Sequence, residues 1–130
     1  MRIVWIIALV LGMGVGLGQA SPPPLNQFQE IEGLNRARHI ARTTGERING
    51  GIERYRTEPA MHRGGIGEHH VQNHGSYWLI SFLGGTPEEV SIHKKYSIYT
   101  IIKIDKTTFR PEIVYNGEIP ESIKLKRGLK

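Results

Sequence analysis

The chain contains no cysteine among its 130 residues. This absence excludes disulfides, thiolate zinc sites, iron–sulfur clusters and a cysteine nucleophile. Aspartate occurs once, at Asp105, and no serine lies in a Gly-x-Ser-x-Gly turn. No pair of glutamates has a spacing that would fix a general acid and a general base at one bond. These absences give little support to an enzyme and favour a non-enzymatic protein.

The chain has one long apolar run, at its beginning. Arg2 precedes apolar residues 3–11, and a glycine-rich stretch then ends at Ala20. This order is typical of a cleavable signal peptide over residues 1–20. An uncleaved membrane anchor is the alternative, although the run is shorter than the roughly 20 apolar residues that a span requires. The sequence therefore predicts an extracytoplasmic protein, and the lack of cysteine favours a bacterial periplasm over a eukaryotic secretory route.

The net charge is +5, and Arg2 of the leader contributes one unit of it. An exported protein does not normally meet nucleic acid, so we do not expect nucleic acid as a partner. Arginines of the first helix are interpreted as its solvated face. The end of the chain, residues 120–130, is predicted to be a basic flexible tail that adheres weakly to anionic lipid or to an acidic protein. Its expected basic contacts are Lys124, Lys126, Arg127 and Lys130.

A single α+β domain is predicted over residues 28–119, after a proline-rich spacer at residues 21–27. Apolar residues recur every three or four positions from Phe28 to Ile48, which indicates an amphipathic helix. Asn26 and Gln29 have the spacing of a capping pair, and Gly50-Gly51 supplies a stop signal.

The remaining segments predict short strands. The first spans residues 52–57 and can continue through residues 60–62 beyond a bulge. The stronger predictions are residues 76–83, where apolar residues on both faces favour a central strand, and residues 96–105, which are rich in β-branched and aromatic residues. Residues 109–115 are predicted to return as the last strand. Residues 63–75 are expected to form an exposed loop, and residues 88–95 a polar loop or short helical turn. Together these elements predict one N-terminal amphipathic helix packed on a three- to four-stranded antiparallel sheet.

The order helix, Gly-Gly, strand, strand and closing hairpin resembles the cystatin-like and PepSY-like layout of small extracytoplasmic domains. Residues 99–105 and 113–117 are the part that resembles the hairpin. A second resemblance, to small uncharacterised exported cyanobacterial proteins, is carried by Asn49-Gly50-Gly51, Tyr55-Arg56-Thr57-Glu58 and Met61-His62. The inhibitory Gln-x-Val-x-Gly loop of cystatins is absent, so the resemblance implies a fold and no activity.

Histidines are concentrated in one segment, which is the best candidate for a metal site. Neutral imidazoles bind zinc, copper and nickel, and a glutamate can complete such a site. The spacing is not His-Glu-x-x-His, so a solvated polar loop with incidental histidines is the alternative. The candidate ligands are His62, Glu68, His69, His70 and His74. No other cofactor is expected.

Aromatic side chains on the predicted strands form the second candidate site. If the helix covers one face of the sheet, about half of them can line the open face and meet a protein or a small ligand. The alternative is that they pack the core. The set comprises Tyr55, Tyr77, Trp78, Tyr96, Tyr99 and Tyr115. The sequence thus favours an exported non-enzymatic binding or interaction module, with a His-loop metal-binding protein and a small enzyme of cystatin-like fold as alternatives.

Overall fold

The computed structural model describes residues 26–63 and 70–129. The helices are α1 (Gln27–Ile48), a 3₁₀ helix (Pro59–His62), α2 (Pro87–Ser91) and α3 (Glu121–Arg127). The strands are β1 (Arg56–Thr57), β2 (Val71–Asn73), β3 (Tyr77–Gly85), β4 (Ile98–Asp105) and β5 (Pro111–Gly117). The strands form one open antiparallel sheet in which β3, β4 and β5 are consecutive neighbours, while β1 and β2 both pair with the outer edge of β3. The predicted α+β class is therefore confirmed, with five strands instead of three or four.

Helix α1 forms as its sequence predicts. The Asn26 side chain accepts a hydrogen bond from the Gln29 N–H (2.8 Å), and the Gln29 side chain accepts one from the Asn26 N–H (3.2 Å). At the other end, Gly50 and Gly51 adopt φ values of +104° and +91°, which favour glycine over other residues. The fold prediction placed this helix at the N-terminus. It begins at Gln27, and the leader and most of the spacer, residues 1–25, lie outside the described residues.

One face of the sheet, here called the helix face, packs against α1 and forms the main core. Successive residues of a strand point to opposite faces, so every second residue of β3 and β4 reaches this core. Gly45 permits the closest approach, because a Cβ atom there would lie 2.7 Å from the Phe82 ring. The buried residues of the cluster are Leu34, Ala37, Ala41, Met61, Trp78, Ile80, Phe82, Ile102 and Ile104.

The opposite face, here called the far face, carries a smaller cluster at one end. Leu83, Tyr99 and Ile119 are buried there. Ile123 of α3 and Leu129, which follows that helix, pack against them. Helix α3 therefore covers part of the face that the sequence predicts to be open.

Two local predictions near the first strand are wrong. Residues 52–54 form a turn, because the N–H groups of Arg54 and Tyr55 both donate to the Gly51 carbonyl, and only Arg56–Thr57 pairs with β3. Residues 60–62 belong to the 3₁₀ helix and do not continue the strand. Pro59 at its first position favours this turn, because proline has no N–H to donate to a strand ladder and its φ suits a helix start.

The segment predicted to be an exposed loop, residues 63–75, contains β2. Its first residue, Val71, pairs with Ile80 and packs on the main core. Residues 64–69 lie outside the described residues. The other three predicted strands are present, and their boundaries differ from the prediction by no more than two residues.

The end of the chain differs from the flexible tail predicted for residues 120–130. Residues 121–127 form α3, and Gly128 ends it in the left-handed conformation (φ +69°). The Leu129 N–H then donates to the Lys124 carbonyl at 2.8 Å, which turns the Leu129 side chain back onto the far face. The helix docks through Ile123 and the following Leu129, which are partly buried against the far-face cluster, whereas Leu125 is exposed.

Candidate ligand groove

The described histidines of the predicted metal site lie apart. His62 Nε2 is 3.2 Å from Thr57 Oγ1, whereas the His74 ring stacks on Tyr77 with ring centres 4.9 Å apart. His70 contacts Glu58 at 3.3 Å. Within residues 26–63 and 70–129, no three metal-ligating side chains converge on one point. Glu68 and His69 lie outside the described residues, so the metal hypothesis stays a prediction.

The six predicted aromatic residues are divided among four environments. Tyr55 and Trp78 are fully buried on the helix face, where burial raises the pKa of the Tyr55 hydroxyl to about 12. Tyr99 is buried in the far-face cluster. Tyr77 and Tyr115 lie on the far face, half-buried and exposed respectively, as the β3–β4–β5 pairing requires. The sixth, Tyr96, is half-buried and lines a groove.

This groove, with a volume of about 820 Å³, lies between the segment that leads into β4 and helix α3. Basic side chains line one part of it: His93, Lys94, Lys95 and Lys124. The apolar part of the lining is formed by Tyr96, Ile119 and Leu129. Glu118 is the one carboxylate among the described residues that line it. The groove therefore combines an excess of positive charge with an apolar wall.

The segment that leads into β4 is fixed by Glu89. Thr86 and Glu89 form a capping box at the start of α2, and the Glu89 carboxylate also accepts a hydrogen bond from Ser97 Oγ (3.1 Å). The pKa of Glu89 is lowered, chiefly by the hydrogen bond from the Thr86 N–H. Between these anchors Lys94 adopts a left-handed conformation (φ +55°), and Lys95 donates its N–H to the Glu89 carbonyl (2.8 Å). The two lysines are thus held at the rim by a folded turn.

The lysine side chains have only weak partners of their own. Lys94 Nζ donates to the Ser91 carbonyl at 3.2 Å. Lys124 Nζ lies 3.4 Å from Glu121 Oε2, but the Glu121 side chain is 82% exposed. Exposed ion pairs of this kind contribute about 0–1 kcal/mol and compete poorly with a bound anion.

The wall formed by α3 is anchored by a buried carboxylate, Glu58. Arg127 Nη2 donates to Glu58 Oε1 at 2.6 Å, and the Leu83 N–H donates to Oε2 at 2.7 Å. The Glu58 N–H in turn donates to the Leu83 carbonyl at 2.9 Å. His70 Nε2 lies 3.3 Å from Oε1.

These contacts determine the ionisation of Glu58. Burial raises the pKa of the carboxyl group, but the contacts with His70, Arg127 and the Leu83 N–H outweigh it and lower the pKa to about 2. Glu58 is only 3% exposed, so its charge is compensated by these three neighbours. The ion pair therefore holds α3, and with it one side of the groove, in place.

The predicted basic contacts of the tail have separate positions. Lys124 lines the groove, Lys126 is exposed on α3, and Arg127 points inward to Glu58. Lys130 lies outside the described residues. Sequence reasoning identified Tyr96 and Lys124 for unrelated reasons, and it missed Lys94, Lys95 and the role of Glu58. In the sequence, Lys94-Lys95-Tyr96 follows the capping-box pattern of Thr86 and Glu89, and this succession could have identified that side of the groove.

Comparisons with known protein families, curated proteins and solved structures find no match for this chain. Among the described helices, none combines the length and apolar character needed to cross a membrane.

Proposed function

We propose that the chain is an exported, non-enzymatic binding module of cystatin-like layout that takes a small amphipathic anion. The observation that carries this proposal is the groove beside α3, in which three lysines face an apolar wall. Export rests on the signal-peptide pattern of residues 1–20, and it removes nucleic acid from the expected ligands.

The size and lining of the groove favour a molecule with a charged end and an apolar body. A volume of about 820 Å³ lies within the usual range for small-molecule sites. Ammonium groups bind carboxylates and phosphates as point charges and need no fixed orientation, which suits the three lysines at the rim. Tyr96 and Leu129 offer apolar surface that a hydrocarbon or aromatic body of the ligand would cover.

Calorimetric titration with dodecanoate, and with dodecanol as an uncharged probe of equal chain length, tests the proposal. We expect saturable binding of dodecanoate and at least tenfold weaker binding of dodecanol, because only the carboxylate pairs with the lysines. Lys95→Gln and Lys124→Gln should each weaken dodecanoate binding about tenfold.

The matched control is Lys126→Gln, which removes the same charge from the exposed side of α3. Binding by this variant should equal that of the unaltered protein. The proposal fails if dodecanoate shows no saturable heat, or if Lys126→Gln weakens binding as much as Lys124→Gln does.

A further inference from the structure

A second, smaller cleft lies on the α1 side of the sheet, between α1 and the 3₁₀ helix. Its volume is about 170 Å³. The residues from α1 are Asn35, Arg38, His39 and Arg42, whose spacing places them on one face of the helix. Met61, His62 and Arg63 close the other side. Arginine and histidine thus supply five of the seven lining residues, and the cleft contains no lining carboxylate among the described residues.

Hydrogen bonds hold these side chains around the cleft. Arg38 is 5% exposed, and its Nη1 donates to the Arg63 carbonyl at 3.0 Å, which ties α1 to the end of the 3₁₀ helix. The sequence had placed Arg38 on a solvated helix face. Arg42 Nη2 lies 3.0 Å from His39 Nδ1. Because arginine can only donate, Nδ1 of His39 accepts, and its ring proton is on Nε2, where it is available as a donor.

The described lining of the cleft carries positive charge and no carboxylate. Arg38, Arg42 and Arg63 all line it, and Glu46, outside the lining, pairs with Arg42 at 3.0 Å. The pKa of His62 is lowered by burial and then by the charge of Arg42, with Arg56 adding to the effect and Glu46 opposing it. The pKa of Arg38 is lowered by burial and then by Arg63. An anion in the cleft would relieve both repulsions.

We propose that this cleft binds a phosphate or sulfate group. The volume corresponds to a few water molecules at about 30 Å³ each, which suits one tetrahedral oxyanion and is too small for a whole drug-sized ligand. The guanidinium group of Arg63 offers paired donors that match such oxygens. Arg42 adds the N–H groups that its contacts with Glu46 and His39 leave over, and the His39 Nε2–H adds another donor. This site shares no lining residue with the groove beside α3, so the proposal of an oxyanion site can be tested independently of the proposed function.

NMR titration of the histidine rings with inorganic phosphate, at ionic strength held constant with sodium chloride, tests the site. Saturating phosphate should raise the pKa of His62, because the bound anion offsets the charge of Arg42. His74 is exposed and lines neither this cleft nor the groove beside α3, so it reports the general effect of salt. Its titration curve should not change.

Arg63→Gln should weaken phosphate binding about tenfold. Its backbone carbonyl, which accepts the hydrogen bond from Arg38, is preserved in this variant, so the fold is retained. Arg47→Gln removes an exposed charge from α1 outside the cleft and should bind phosphate as the unaltered protein does.

Phenyl phosphate distinguishes the sources of the group. Tighter binding of phenyl phosphate than of inorganic phosphate assigns the cleft to an ester, and equal or weaker binding assigns it to the free ion. The proposal is overturned if His62 shows no saturable change, if His74 changes in parallel with it, or if Arg47→Gln weakens binding as much as Arg63→Gln does.

Discussion

Replacing Glu58 with glutamine removes the charge that anchors α3 while preserving the shape of the side chain. An amide oxygen can still accept the Leu83 N–H, so the variant isolates the ionic part of the contact. Arg127, whose side chain is 24% exposed, and His70, 9% exposed, would lose their carboxylate partner. We expect α3 to detach from the far face more readily and the free energy of unfolding to fall.

The magnitude follows from the pKa of Glu58. Lowering it from 4.5 to about 2 corresponds to about 3 kcal/mol of stability at neutral pH, since one pKa unit is worth about 1.4 kcal/mol. Breaking a buried ion pair commonly costs about 3–5 kcal/mol. The lower end applies here, because water reaches the guanidinium of Arg127 and solvates it after the substitution.

The sign of the pH dependence is fixed by the direction of the shift. The folded protein has the lower pKa, so the stabilisation is fully present above about pH 4.5 and is lost as the pH falls through about 2. Glu58→Gln has no carboxyl group at this position, so it should lack this part of the acid sensitivity. The difference between the two proteins should therefore shrink as the pH falls across this interval.

Urea denaturation followed by circular dichroism at a series of pH values measures both quantities. Glu121→Gln is the matched control, because it neutralises an exposed carboxylate on α3, and it should change stability by no more than about 0.5 kcal/mol. The reasoning is refuted if Glu58→Gln is no more destabilising than Glu121→Gln at neutral pH, or if its effect is independent of pH.

Three further substitutions test the packing of α1, each by the same denaturation assay. Gly45→Ala should cost about 1–3 kcal/mol despite alanine's higher helix propensity, because its Cβ would lie 2.7 Å from the Phe82 ring; a gain in stability would contradict this packing. Asn26→Ala should cost about 1 kcal/mol through loss of the capping box, and an unchanged midpoint would show that the cap is dispensable. Lys106→Met should cost about 1–2 kcal/mol, because the Lys106 side chain is 13% exposed and its Nζ lies 2.9 Å from Glu30 Oε2 and 2.8 Å from Asn73 Oδ1; no loss would mean that these contacts contribute nothing.

The parts of the fold that local sequence determines were predictable. Helix α1 carries its own cap, apolar period and glycine stop, so no distant residue is needed to locate it. The three long strands show alternating or β-branched patterns, and their boundaries are close to the prediction. The first strand was predicted too long, because the residue pattern does not show that residues 52–54 form a turn closed by hydrogen bonds to the Gly51 carbonyl.

The candidate sites depend on contacts between distant parts of the chain, which local patterns do not reveal. Arg127 is 69 residues from Glu58, and a basic residue near the end of a chain gives no sign of a buried partner. The groove likewise joins residues near Lys94 to residues near Lys124. Arg38 was assigned to a solvated helix face because periodicity cannot show that the 3₁₀ helix covers it.

The double hydrogen bond between Glu58 and Leu83 gives the docking of α3 a direct reporter. The Leu83 N–H donates to the same Glu58 carboxylate that binds Arg127. The protection of this amide from solvent exchange therefore depends on the carboxylate that anchors α3. If α3 leaves the sheet without global unfolding, this amide should exchange faster than its neighbours in β3 that are held by ordinary strand pairing. The exchange rate at this one position would then measure how often one side of the ligand groove opens.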